Sequence, residues 1–152
     1  MPISKAGRKR VLLVDDEVML HRAIDRAASE AGIDVIHAMT AVDGVKLAVE
    51  KRPHLIILDM TMPDLDGIQV LARLKRAPQT SAIPVLIYSA RCDHDERISA
   101  FQIGAEDYLE KPFELDMLLR RIEHHIFKAS ETQCASASNS ADDTVPHVKR
   151  LA

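Results

Sequence analysis

Apolar residues along this chain follow two alternating patterns. Short unbroken runs occupy residues 11–14 (VLLV), 35–38 (VIHA, with Ile33 just ahead), 55–58 (LIIL), 85–88 (VLIY) and, more weakly, Tyr108-Leu109. Each is too short for a helix and rich in aliphatic or β-branched side chains, which predicts strands buried on both faces. Between the runs, apolar residues recur every three or four positions. The stretch 17–31 puts Leu20, Ile24, Ala27 and Ala31 on one predicted helical face and stops at Gly32, the residue type favoured just past a helix end. A second helix is predicted to start at Thr40, with Asp43 three residues on as a capping pair. A third is expected over 66–75, breaking before Pro78, and a fourth over 93–103, ending at Gly104. The fifth carries Leu115, Leu118, Leu119, Ile122 and Ile126 as a core-facing stripe.

Strand and helix thus alternate through five repeats. Parallel neighbours require crossover segments, and the right-handed crossover rule distributes the helices over both faces. The expected fold class is therefore α/β, a five-stranded parallel sheet with five flanking helices. Residues 1–8 read as an N-terminal arm, whose basic cluster of Lys5 and Arg8, continued by Lys9 and Arg10, is expected to be solvated. One domain is expected over 9–127. From 128 onward the composition turns to Ser, Ala, Asn and Asp without periodicity (QCASASNSADDTVPHVKRLA), so 128–152 is expected to be a disordered tail.

Composition excludes several function classes. At 152 residues and 47% hydrophobic content, the chain can bury one core and is too short for two ordinary domains. Lys and Arg number 20 against 23 Asp and Glu, a net charge of −3, which gives no electrostatic case for nucleic acid or an anionic membrane as a direct partner. Cys92 and Cys134 lie far apart, without metal-ligand or disulfide spacing, which suits a reducing compartment. No apolar run approaches the roughly 18 residues of a membrane span. The N-terminus carries charges where a signal peptide has its apolar core, and the expected location is cytoplasmic.

The candidate chemistry lies at the ends of the runs. In LIILDMTMPD, four apolar residues lead straight into Asp59, and a buried carboxylate is costly unless solvated, paired or metal-bound. Functional crevices of open α/β sheets lie outside the carboxyl ends of the strands. The residues that follow the runs are Asp15, Asp16 and Glu17, then Asp59, Ser89 and Lys111. If the strands are parallel, all of them converge on one edge. Crowded carboxylates raise one another's pKa unless a cation sits among them, and Mg²⁺, bound by carboxylates, waters and phosphate oxygens, suits such a set. A lysine and a hydroxyl beside that ion would complete a cradle for a phosphoryl group.

Together, VLLVDDE, LIILDMTMPDLDG, PVLIYSA and GAEDYLEKPF resemble the receiver domain of two-component response regulators, similar to the chemotaxis response regulator. The likeness covers about residues 9–127. It implies a flavodoxin-like strand order and a phosphoacceptor switch, not an enzyme acting on external substrates. Asp59 matches the phosphoacceptor, charged by a histidine kinase or phosphotransfer protein. Asp16 and Asp59, with the backbone carbonyl of Thr61, would ligate Mg²⁺ (Mn²⁺ as an alternative), and Asp15 would hold it through water. Lys111 and Ser89 would contact the phosphoryl group, and Tyr108 matches the aromatic that turns inward in response. Thr61 and Arg91 match positions that tune dephosphorylation, and Pro112 matches a residue preceded by a cis peptide bond. The downstream protein target would dock on the fourth helix, fifth strand and fifth helix.

Taken singly, each residue has an ordinary explanation. Asp15 and Asp16 could cap a helix, Ser89 could be a turn hydroxyl, Tyr108 could be sheet packing, and Lys111 a solvated loop residue. His124 and His125 point to different helix faces and are expected to meet the helix's C-terminal dipole. Three functions compete. A stand-alone receiver that signals through protein binding leads, with a phosphorelay intermediate in the same class. A phosphohydrolase of the haloacid dehalogenase type needs a second acid two residues after its nucleophile, where this chain has Thr61. A receiver fragment of a longer DNA-binding or enzymatic regulator is the third.

Overall fold

In the computed structural model, strands β1 (Lys9–Val14), β2 (Ile33–Ala38), β3 (Leu55–Asp59), β4 (Val85–Ser89) and β5 (Asp107–Glu110) alternate with five helices. These are α1 (Val18–Glu30), α2 (Ala41–Lys51), α3 (Gly67–Arg76), α4 (His94–Ile103) and α5 (Leu115–Ala135). The structure describes residues 7–90, 93–111 and 114–135. The strands form one sheet in the order β2-β1-β3-β4-β5, and every neighbouring pair is parallel.

The side-chain alternation of the central strands builds two cores, one on each face of the sheet. Leu12, Val14, Ile56, Leu58, Val85 and Ile87 pack on one side against Ala48 of α2, Leu71 and Leu74 of α3 and Ala100 of α4. Val11, Leu13, Leu55, Ile57 and Leu86 pack on the other against Ile24 and Ala28 of α1 and Leu118, Ile122 and Ile126 of α5. Burying each large aliphatic side chain contributes about 1.5–3 kcal/mol before the cost of ordering the chain. Thr40 and Asp66 cap α2 and α3, accepting from the backbone N–H groups of Asp43 and Ile68, and Asp93 caps α4.

The structure departs from the sequence pattern in four places. Strand β2 lies at the sheet edge, so only its ends, Ile33 and Ala38, are buried. In α1 the buried residues are His21, Ile24 and Ala28, a face rotated from the predicted one because His21 is hydrogen-bonded at both ring nitrogens and can go inside. Helix α5 continues to Ala135, past the predicted limit at 127. His125 therefore lies well inside the helix rather than at its end, and its Nε2 meets Asp107 Oδ2 at 2.9 Å. Of the expected arm, Arg8 is tied to the sheet edge, its Nε donating to Asp34 at 2.8 Å. Residues 136–152 of the expected tail lie outside the described residues.

Two devices fix the loop after β3. A Cβ on Gly67 would sit 2.6 Å from Met60 Cα and 2.9 Å from its carbonyl oxygen, so α3 can begin this close to the loop only with glycine. Asp64 accepts from the N–H groups of Ala41 (3.0 Å) and Val42 (3.1 Å) and ties the loop to the start of α2. The Ala41 bond, more than the Val42 bond, holds the Asp64 carboxyl below the usual range.

Candidate functional site

The carboxyl rim of the sheet collects five of the predicted residues. Asp15 and Asp16 follow β1, Asp59 ends β3, Ser89 ends β4, and Lys111 follows β5. Asp15 and Asp59 are buried, 0% and 3% exposed, while Asp16 faces solvent. One carboxylate oxygen from each of Asp15, Asp16 and Asp59 lies within 4.8 Å of the others. Lys111 Nζ donates to Asp15 Oδ2 at 3.1 Å and to Asp59 Oδ2 at 3.3 Å. Its ammonium also lies 4.4 Å from the centre of the Tyr88 ring, a cation–π distance.

Backbone contacts hold these groups in place. The Lys111 N–H donates to the Ser89 carbonyl at 2.8 Å, which fixes where the lysine leaves the sheet. Asp59 Oδ1 accepts from the Thr61 N–H at 2.9 Å and the Thr61 hydroxyl at 2.7 Å, and Asp15 Oδ1 accepts from the Glu17 N–H at 2.8 Å. Thr61 thus reaches Asp59 through its donors. Burial raises the Asp15 pKa against the opposing pull of the Glu17 N–H and Lys111. Burial also works against the Lys111 ammonium, but its hydrogen bond to Asp15 and the charges of Asp15 and Asp59 outweigh that cost and raise its pKa.

Three carboxylates against one ammonium leave the rim anionic, with hard oxygen donors open to water on the Asp16 side. That donor set suits Mg²⁺, which prefers one or two carboxylates and retains several waters, and Asp15, Asp16 and Asp59 each offer one oxygen to it. A bound ion supplies charge neutralisation for a transferring phosphoryl group.

Ser89 is fully buried beside this cluster. Tyr108, paired in register with Ile87, is buried too, at 6% exposure, in the core beneath α4, and the Arg97 guanidinium lies 5.5 Å from its ring centre. Arg91 and Pro112 lie outside the described residues. Reading the sequence missed Tyr88 beneath Lys111, Asp64 as the loop tie, and His21, whose Nε2 meets the Asp15 carbonyl oxygen at 2.7 Å. An aromatic one residue before Ser89 was the available signal for Tyr88; a turn aspartate and a helical histidine carry none.

The model of the response regulator receiver domain matches residues 11–123. The chain belongs to the response regulator receiver family. It is 38% identical over 113 residues to the DNA-binding dual master transcriptional regulator RpaA of Synechocystis, covering 74% of this chain and 47% of that one. In structure, this receiver resembles the signal receiver domain of a putative LuxO repressor protein from Vibrio parahaemolyticus, with a TM-score of 0.76 and 32% identity, covering 84% of this chain and 97% of that one. It also shares its fold with a CheY-like receiver domain protein from Methanospirillum hungatei, with a TM-score of 0.77 and 21% identity over 82% of this chain and 98% of that one. The chain spans about half the length of the curated relatives it matches. Receiver domains are phosphoacceptor switches of two-component systems that take phosphoryl groups from histidine kinases and bind Mg²⁺ at an acidic pocket. Among the described residues, no helix is long and apolar enough to cross a membrane.

Proposed function

We propose that this receiver accepts a phosphoryl group on Asp59 from the phosphohistidine of a histidine kinase or phosphotransfer protein, and signals through phosphorylation-dependent protein binding. The observation that carries the reading is Lys111 Nζ bridging Asp15 and Asp59 across strand ends that are far apart in sequence. In the transfer, an Asp59 carboxylate oxygen forms a bond to phosphorus as the bond to the donor's leaving atom breaks. Asp15, Asp16 and Asp59 would hold Mg²⁺, and Lys111 and Ser89 would take the phosphoryl oxygens. The added charge, roughly −1.5 to −2, draws Lys111 away from the carboxylates. Tyr108 and Ser89 sit on adjacent strands, so rearrangement at one reaches α4 and β5. There α4 exposes Ile98 and Phe101, and α5 exposes Met117, apolar side chains suited to a protein target. The aspartyl phosphate forms and is lost by the domain's own chemistry.

Incubation with Mg²⁺ and acetyl phosphate tests the reading. One phosphoryl group should be incorporated, and Asp59→Ala should abolish it; incorporation that survives Asp59→Ala overturns the assignment. The regulators it resembles in sequence favour a second reading, a receiver working as part of a longer DNA-binding protein. The coding sequence downstream of residue 152 and salt-sensitive DNA binding by its full product decide between that and a receiver acting alone in the cytoplasm.

A further inference from the structure

On the opposite side of β1 from Lys111, a cleft of about 250 Å³ lies between α1 and the edge strand β2, lined by Val18, His21, Arg22, Asp25, His37 and Met39. Inside it, His21 Nδ1 faces His37 Nδ1 at 2.6 Å. The outer nitrogens are both engaged. His21 Nε2 lies 2.7 Å from the backbone carbonyl of Asp15, and His37 Nε2 lies 3.3 Å from Asp25 Oδ1.

A carbonyl oxygen only accepts, so the proton of neutral His21 belongs on Nε2. A carboxylate likewise only accepts, which puts the His37 proton on its own Nε2. Each neutral ring then directs its Nδ1 lone pair at the other, and two lone pairs at this distance repel unless a cation lies between them. Histidines that ligate metals characteristically donate their second ring N–H to a carboxylate or a backbone carbonyl, and here one ring has each kind of partner.

We infer that His21 and His37 form a transition-metal site, separate from the acidic rim, which takes a borderline divalent cation of the Zn²⁺ class through the two Nδ1 atoms. Imidazole donors suit Zn²⁺, Cu²⁺ and Ni²⁺ and do not suit Mg²⁺. Zinc–nitrogen bonds of about 2.0–2.1 Å at a tetrahedral angle place the nitrogens about 3.3 Å apart. The rings now meet nearly end to end, their centres 4.9 Å apart, so the pair must open by under about 1 Å and tilt toward the open side, and His37, on an edge strand with its side chain 36% exposed, has the freedom to do both. Water completes the coordination from the open side, the Met39 thioether lines the same cleft, and Asp25 offsets the nearby Arg22. Since His21 also holds the Asp15 carbonyl, an ion here braces the loop that carries Asp15 and Asp16.

Calorimetric titration of the untagged chain with Zn²⁺ in saturating Mg²⁺ tests this, alongside ¹⁵N spectra of the histidine rings. One equivalent should bind, with the Nδ1 resonances of His21 and His37 shifting and those of the other histidines unmoved. His37→Ala should weaken binding by about tenfold or more, and the surface change Asp25→Asn should weaken it by about tenfold, as loss of an outer hydrogen bond to a ligand histidine does. Asp59→Asn should leave it unchanged. Equal Zn²⁺ affinity in the wild type and His37→Ala overturns the site, as does loss of binding in Asp59→Asn, which would put the ion at the acidic rim. Failure of the wild type to bind Zn²⁺, with a single proton shared between the two rings in the spectra, also overturns it.

Discussion

Replacing Lys111 with methionine keeps most of the side-chain volume and removes the ammonium that Asp15 and Asp59 share. The contacts of 3.1 and 3.3 Å each carry a gross attraction of roughly 5 kcal/mol at an effective dielectric of about 20. Most of that offsets the burial of two carboxylates and of a lysine whose side chain is only 17% exposed. What the variant loses is set mainly by the two buried charges left facing each other, a situation that costs about 3–5 kcal/mol when one partner of a buried pair is deleted. A proton limits the loss. Asp15 is already shifted toward its neutral form by burial, and losing Lys111 removes two of the interactions that oppose that shift, so the variant takes up a proton there more readily than it keeps an unpaired anion. We therefore expect Lys111→Met to destabilise the metal-free protein by about 3 kcal/mol at pH 7, a fall in Tm of roughly 6–12 °C for a domain of this size.

The sign of the metal effect is the sharper test. Lys111 competes with a divalent cation for the negative charge of Asp15 and Asp59, so its removal should tighten Mg²⁺ binding even as it impairs phosphoryl transfer. Thermal melts in EDTA and in Mg²⁺, with titration of the metal, measure both effects. The variant should be less stable than the wild type in EDTA and should recover more on Mg²⁺ addition. Unchanged stability in EDTA, or weaker Mg²⁺ binding, would refute the view that this ammonium balances the acidic pair.

Three further outcomes follow from the geometry. Burial works against the Asp107 carboxylate, but hydrogen bonds from Arg121 and His125 hold its pKa below the reference value of 3.8; a depressed carboxyl stabilises the fold above its unfolded pKa and loses that contribution as pH falls through its folded one. Urea denaturation should accordingly show a gap between wild type and Asp107→Asn that is present at pH 7 and narrows below about pH 4. Gly67→Ala places a methyl 2.6 Å from Met60 Cα, so it should cost about 1–3 kcal/mol in denaturant melts and slow phosphorylation by shifting the loop that carries Thr61. Asp64→Ala frees the N–H groups of Ala41 and Val42, and should cost about 1 kcal/mol, with faster hydrogen exchange at those two amides while the amides of β1 stay protected.

Legibility in the sequence followed the range over which each signal acts. The central strands β1, β3 and β4 could be read from their apolar runs because burial on both faces leaves no polar positions to interrupt them. Their parallel register, with that of β5 beside β4, then placed residues 15, 59, 89 and 111 on one rim without any local clue that they meet. Edge strand β2 gave nearly the same run, yet only two of its six residues are buried, since a run of apolar residues does not encode how many neighbours a strand has. The end of α5 was invisible for a related reason. The segment KASETQCA has no apolar stripe, and the helix is carried through it by propagation, which is easier than starting afresh. His21 was missed because hydropathy scores a histidine by its ring, whereas its burial depends on partners supplied by Asp15 and His37. Those partners come from the β1–α1 turn and from β2, so the buried face of α1 becomes predictable only once the pairing of β1 with β2 is known. Polar residues that enter a core do so through contacts made by topology, and a one-dimensional pattern registers them as interruptions.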